Sequence, residues 1–300
     1  MAVLFESFSE WKEFCEKKKV SLHQPVLDYE VREKERTKEE IKLALKQAFD
    51  VMKDAVKTGL NEDMTSRSGM IENGGKKVFN SPINVLSEEF KVLISRALAA
   101  KEVNSCMGRV VAAPTAGASG ILPGVLVTLQ DLHQLDDDTL HNALLVSAGI
   151  ALIMEKKSGI AGAVGGCQAE TGTAAAMAAG AITYCLGGNI DMVFNAVAIT
   201  AQCMLGLVCD PVAGLVEVPC VVRNASAAAI ANSSAQIALA NVSGVIPVDE
   251  CVDAMGEVGQ SMEDRYKETA LGGIAATPTA KMISKKVLIS DIDIIDSSEE

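Results

Sequence analysis

Between Gly159 and Gly188 the chain is built almost wholly from helix-forming residues and glycine, with the run Thr173-Ala-Ala-Ala-Met-Ala-Ala-Gly-Ala181 at its centre. Such a segment has no large side chains to fill a core, so its backbone must approach its neighbours closely, and tightly packed helices allow that approach. Aromatic residues make up only 4% of the chain, while hydrophobic residues reach 49% over 300 positions. A sizeable core is therefore certain, and small side chains must build it. No period-2 alternation of any length and no βαβ rhythm are present, so the fold is expected to be mainly α, a single compact all-helical domain with long Gly-rich loops.

Helix starts are legible from capping chemistry. Ser7-Phe8-Ser9-Glu10 has the form of a capping box and opens a short amphipathic helix through Lys19. A second box, Thr37-Lys38-Glu39-Glu40, opens a helix with Ile41, Leu45, Ala48, Met52 and Val56 at helical spacing, and Gly59 is placed to end it as a C-terminal cap. Ser87-Glu88-Glu89 starts a helix running towards Lys101, and Asp136-Asp137-Asp138 caps another through Met154. Two segments break the pattern. Leu60 to Pro82 is rich in glycine and polar residues and predicts a long loop. Ala113-Pro-Thr-Ala-Gly-Ala-Ser-Gly120 predicts a turn whose main-chain N–H groups could hold an anion at the start of the next helix. After about Asp249 the sequence turns acid-rich, predicting a solvated helix and a frayed tail ending Asp-Ser-Ser-Glu-Glu.

Charge and cysteine usage narrow the function. A net charge of -12 without clustered Lys or Arg excludes nucleic acid as a partner. Leu144 to Met154 is too short to span a membrane. Ile190 to Val208 approaches the roughly 20 residues a span needs but carries Asp191, Asn195 and Gln202 and lacks interfacial anchors, so it reads as a buried helix. Eight cysteines without a signal-peptide pattern predict a reducing, cytoplasmic setting.

Three of those cysteines stand at helix-breaking positions: Cys167 after Gly165-Gly166, Cys209 before Asp210-Pro211, and Cys220 after Pro219. A break frees backbone N–H groups to donate to sulfur, which a thiolate-bound cluster requires. Cys15, Cys185, Cys203 and Cys251 lie in helical patterns as small buried hydrophobes, and Cys106 fits either reading. No C-x-x-C pair of a structural zinc site is present. Three thiolates and one open position suit a cluster with a free iron. On spacing alone, three scattered structural cysteines remain the alternative.

The segments Thr65-Ser-Arg-Ser-Gly69 with Glu72-Asn-Gly-Gly75, Ala113-Pro-Thr-Ala-Gly117, Gly165-Gly-Cys-Gln-Ala-Glu170 and Gly206-Leu-Val-Cys-Asp-Pro-Val-Ala-Gly-Leu-Val-Glu-Val-Pro-Cys220 resemble the α chain of the iron-sulfur-dependent L-serine dehydratases. The likeness runs from about Leu60 to Thr279. It implies a lyase that takes L-serine to pyruvate and ammonia, with a 4Fe-4S cluster held by Cys167, Cys209 and Cys220 and one iron left without a protein ligand. The glycine-rich loops would then surround a metal-cluster site. Around it are expected an N-terminal helical segment at 1–58, a catalytic domain at 59–285 and a charged tail at 286–300. Thr65, Ser66, Ser68, Gly69, Asn73, Lys76, Thr115, Gly117 and Ser119 are candidates to hold the carboxylate and amino groups of the substrate. No general base is assigned, because His23, His133 and His141 all lie outside the resembling motifs. The family occurs as one long chain or as separate α and β chains, so a separate β chain and an oligomer are expected, and the base could reside on that partner. A cysteine desulfidase of similar cluster chemistry and a non-catalytic cluster-bearing sensor or scaffold are the competing readings.

Overall fold

The alanine-rich run becomes the axis of the molecule. The computed structural model describes residues 5–296 except Leu86, with side chains as far as Leu288. Thirteen helices follow one another, with isolated bridges but no β-strand among the described residues. They are α1 (Phe8–Lys18), α2 (His23–Glu33), α3 (Lys38–Asn61), α4 (Gly74–Phe79), α5 (Glu88–Ser105), α6 (Ile121–His133), α7 (Asp137–Ser158), α8 (Gly162–Gly165), α9 (Thr173–Cys185), α10 (Ile190–Met204), α11 (Cys220–Leu239), α12 (Val248–Ser261) and α13 (Pro278–Asp296). Every residue of α9 from Thr173 to Thr183 is buried, and α6, α7, α10 and α11 pack around it. A helix enclosed on all sides has no wet face, which is why its sequence carries no amphipathic stripe.

The expected caps form. Ser7 accepts from the Glu10 N–H, Thr37 and Glu40 make a full reciprocal box, and Ser87 and Asp136 accept from Phe90 and Thr139. Each supplies an oxygen to an N–H that the helix itself cannot satisfy. An aromatic cluster joins α1 to α10, where the Phe8 and Trp11 rings lie 5.2 and 5.4 Å from that of Phe194. The apolar stretch beginning at Ile190 is accordingly a buried helix, and no helix among the described residues is long and apolar enough to cross a membrane.

Several expectations change in detail. Gly59 does not cap α3, which continues to Asn61. Its service is close approach, because a Cβ at this position would sit 2.3 Å from the Ala99 carbonyl oxygen of α5. Gly75 of α4 meets the same residue, with its Cβ position 2.6 Å from the Ala99 nitrogen, so two glycines let α3 and α4 close on α5. The 60–82 segment is not all loop, since α4 lies within it, and α2 is an additional helix with Pro25 tolerated in its first turn. Helix α5 runs on to Ser105 and α7 to Ser158. Cys203 is exposed and not buried, because it falls on the outer face of α10. The acid-rich helix α12 is solvated on one face only, with Cys251, Val252 and Met255 buried on the other, and the last four residues of the predicted tail lie outside the described residues. Gly59→Ala is expected to destabilise the chain by about 1–3 kcal/mol, the usual range for overpacking. A urea midpoint equal to that of the unchanged protein would show that α3 and α5 can separate freely.

Candidate functional site

Each helix-breaking cysteine is placed by a different device. Gly166, at φ +75°, turns the chain out of α8, and Cys167 then leads into a π-helical turn over Gln168–Gly172 before α9 begins. Wide π turns free backbone groups from the regular ladder and recur at functional sites. Gln168 anchors this one, donating from Nε2 to the Met255 carbonyl at 2.7 Å and accepting the Gly206 N–H at 2.8 Å. Cys209 lies in the loop between α10 and α11, where its N–H donates to the Tyr266 carbonyl at 2.8 Å and its carbonyl accepts from Glu268 at 2.9 Å. Cys220 is the first residue of α11, directly after a cis Val218–Pro219 bond.

Tertiary folding brings these breaks together. All three thiols are free and buried, at 2, 3 and 7% exposure for Cys167, Cys209 and Cys220. Burial pushes the Cys209 thiol well up, and Cys167 and Cys220 push it further as neighbouring charges. The Cys220 thiol is pushed up to about 12, first by burial and then by Cys167. Cys167 is likewise raised by burial, while Thr171, with its Oγ1 2.9 Å from the sulfur, and Arg223 oppose the shift. Three thiols in a dry site stay protonated and inert, but a metal replaces the proton outright. Among the described residues no three His, Cys, Asp or Glu side chains converge closely enough for a single ion. Buried thiols of this kind suit an iron-sulfur group, whose thiolate ligands bind different irons. The donor set therefore fits a cluster by ligand type.

Arg223, one turn into α11 from Cys220, ties the second loop to the third. It donates to the Val208 carbonyl at 2.9 Å and pairs with buried Asp210 at 2.8 Å, an ion pair that lacks hydrogen-bond alignment. The residues on both sides of Cys209 are thus fastened to the helix that carries Cys220. Asp210 also accepts the Ile274 N–H at 2.7 Å, which brings the 270s segment over the same loop.

The candidate substrate residues divide. Ser66 donates to Glu217 Oε2 at 2.6 Å, and Ser68 donates to the same oxygen, so both hydroxyls dock the 65–69 loop on the segment just before Cys220. Thr65 and Gly69 are exposed, and Thr65 bridges to Glu72. Asn73 accepts the Met64 N–H at 2.6 Å, and Lys76 pairs with Asp63 at 2.7 Å, so its ammonium is engaged at the surface. The second loop is closer to the cysteines. Thr115 donates to Glu170 Oε1 at 2.5 Å, and a Cβ on Gly117 would stand 2.5 Å from the same oxygen, so a side chain there would displace this carboxyl. Burial raises the Glu170 carboxyl, with Thr115 opposing and Glu268 adding to the rise. Ser119 is fully buried and its hydroxyl has no partner.

Sequence reasoning missed two residues. Asn224 of α11 is fully buried and donates to the carbonyls of Gly117 and Cys220, both at 2.8 Å, while accepting the Gly120 N–H at 2.9 Å. Lys101 of α5 is also fully buried; burial lowers its ammonium to about 8, and Cys220, Glu170 and Glu217 oppose that shift as neighbouring charges. The only signal for Lys101 was its spacing four residues after Ala97, on the apolar side of the helix. Its neighbour Glu102 faces elsewhere and receives the N–H groups of Gly74 and Gly75 at 2.6 and 2.9 Å. The histidines stay apart from these residues in their contacts: His23 hydrogen-bonds Tyr184 at 2.8 Å, and His141 is buried in α7.

An all-helical scaffold with three clustered thiols, two serine- and glycine-bearing loops and a buried lysine can be compared with known proteins. A profile of the family described as "Serine dehydratase alpha chain" matches residues 17–275, and the chain belongs to that family. It is 40% identical to the "L-serine dehydratase, alpha chain" of Peptoniphilus asaccharolyticus, over 91% of this chain and 95% of that one. It is 38% identical to the "Probable L-serine dehydratase, alpha chain" of Bacillus subtilis (strain 168), with 95% of each chain covered. Against the "L-serine dehydratase" of Streptomyces coelicolor the identity is 37%, but 80% of this chain covers only 54% of that protein.

Proposed function

We propose that the chain is the catalytic α chain of an iron-sulfur L-serine dehydratase, a cytoplasmic carbon-nitrogen lyase that releases pyruvate and ammonia from L-serine together with a separate β chain. The observation that carries this reading is that Cys167, Cys209 and Cys220 are buried free thiols at three separate helix breaks, with Gly162 of α8 packed on the Cys209 sulfur and Arg223 of α11 bonded to the loop that bears it. The reaction and substrate follow the names of the α-chain relatives, which this chain matches over nearly their whole length. The β chain follows from the same names and from the single-chain relative, nearly half of which lies outside the match.

Cys167, Cys209 and Cys220 would hold a 4Fe-4S cluster, which when bound supplies Lewis acidity at an iron without a protein ligand and so assists loss of a hydroxide. The chain's own residues do the positioning. Gln168 and Arg223 fix the loops bearing Cys167 and Cys209, and the guanidinium offsets the negative charge the thiolates acquire. Thr115 and Gly117 hold the Glu170 carboxyl at the edge of this group, where burial favours its protonated form. Burial of the three sulfurs keeps water from competing for the site.

Anaerobic purification with iron and sulfide counting, followed by a pyruvate assay with and without the β chain, tests the proposal. Near-equal iron and sulfide and β-dependent pyruvate release are expected. A cluster-loaded protein that yields no pyruvate with the β chain present would turn the reading into that of a cluster-bearing scaffold.

A further inference from the structure

A buried ammonium ordinarily has an opposite charge beside it, because an unpaired ion in the interior is costly. Lys101 does not. It is fully buried, its Nζ donates to the Asn104 side chain and lies 3.5 Å from the Ala116 carbonyl, and no carboxylate among the described residues reaches ion-pair distance of it. The turn packs closely on the base of the side chain: a Cβ on Gly120 would be 2.8 Å from Lys101 Cβ, and Gly120 is itself held by Asn224. The turn over the ammonium, Thr115–Gly120, also carries the orphaned hydroxyl of Ser119. The other nearby cation, Arg223, is committed to Asp210 and the Val208 carbonyl. One positive charge without a carboxylate partner and one unused hydroxyl therefore lie at the turn whose Thr115 and Gly117 stand against the Glu170 carboxyl.

We infer that Lys101 is the cation that receives the carboxylate of the amino-acid substrate, with Ser119 as an accompanying donor. An amino acid is a zwitterion: Lys101 meets its carboxylate by charge, and the carboxyl oxygens of Glu170, one of which already accepts from Thr115, are acceptors for its ammonium. The charge of the substrate then supplies what the folded chain leaves missing around Lys101. This deepens the proposed dehydratase reading and rests on it only for the identity of the substrate.

The test uses the anaerobically purified, cluster-loaded protein with its β chain and compares L-serine with serinol, in which a hydroxymethyl group replaces the carboxylate. Lys101→Met keeps the length of the side chain and removes the charge, and Lys101→Gln keeps a donor without charge. Both should retain wild-type iron and sulfide. Losing a charge-assisted contact should raise KM for L-serine roughly 10- to 100-fold, while the inhibition constant of serinol stays where it is in the unchanged protein. Equal weakening of serine and serinol, a fall in kcat at constant KM, or loss of iron in both variants would each overturn the assignment, the last making Lys101 a counter-charge for the cluster. If the unchanged protein makes no pyruvate, the dehydratase reading fails by itself. Equilibrium binding of L-serine against serinol, in the unchanged and variant proteins, then still decides the role of Lys101.

Discussion

Serine in place of any one of Cys167, Cys209 or Cys220 is expected to remove iron and pyruvate formation together, by about 100-fold or more. Losing a group that only orients a metal ligand already costs about 10- to 100-fold, and here the ligand itself goes. A serine hydroxyl is a harder donor than sulfur and gives up its proton far less readily, so it does not replace a thiolate on iron. The burial that raises the three thiols adds to the contrast, because their deprotonation is driven by the metal alone. Two other cysteines serve as controls. Cys185 is pushed up to about 12 by burial, with no thiol neighbour contributing, and Cys203 is exposed on α10. Their serine variants should keep iron and turnover and change only stability. Iron retained in Cys209→Ser but lost in Cys185→Ser would sink the ligand assignment.

What could be foreseen from the sequence follows the range of the forces involved. The caps of α1, α3, α5 and α7 were readable at Ser7, Thr37, Ser87 and Asp136, because a cap is settled within three residues of its own helix. The breaks at Gly166, Asp210-Pro211 and Pro219 were readable for the same reason. Gly59 was misjudged because a glycine near the end of an apolar stripe looks the same whether it frees the backbone or admits a neighbour, and Ala99, the neighbour, comes from another helix. Ser66 and Ser68 show a related limit. Their type announces hydrogen-bond donors, but the acceptor, Glu217, lies some 150 residues on, with separations of 151 and 149. Lys101 was hidden altogether, since one lysine in a helix ending Lys-Glu-Val-Asn-Ser reads as a solvated terminus until α11 and the 115–120 turn close over it.

Asn224→Leu is the second replacement with a large expected effect, and it separates the cysteines from the loop that faces them. The native amide satisfies three buried backbone groups at once: the Gly120 N–H, the Gly117 carbonyl and the Cys220 carbonyl. Leucine fills a similar volume but satisfies none of them. A buried group left without its partner costs about 1–3 kcal/mol, and the Gly120 N–H has no other acceptor, so a loss of about 3 kcal/mol or more of stability is expected. Activity should fall by more than stability accounts for. The same bonds seat Gly117 against Glu170 and the 115–120 turn over Lys101, and a misplacement of about 1 Å in such a site can cost about 100-fold in rate. Asn195 supplies the comparison: it makes two bonds of 2.8 Å to the backbone of Val242 and Gly244, away from the cysteines. Asn195→Ala should lower the urea midpoint and leave turnover per iron unchanged. If Asn224→Leu behaves like Asn195→Ala, losing stability but no turnover per iron, then the loop at Thr115–Gly120 has no part in the site, and the geometry around Lys101 is structural alone.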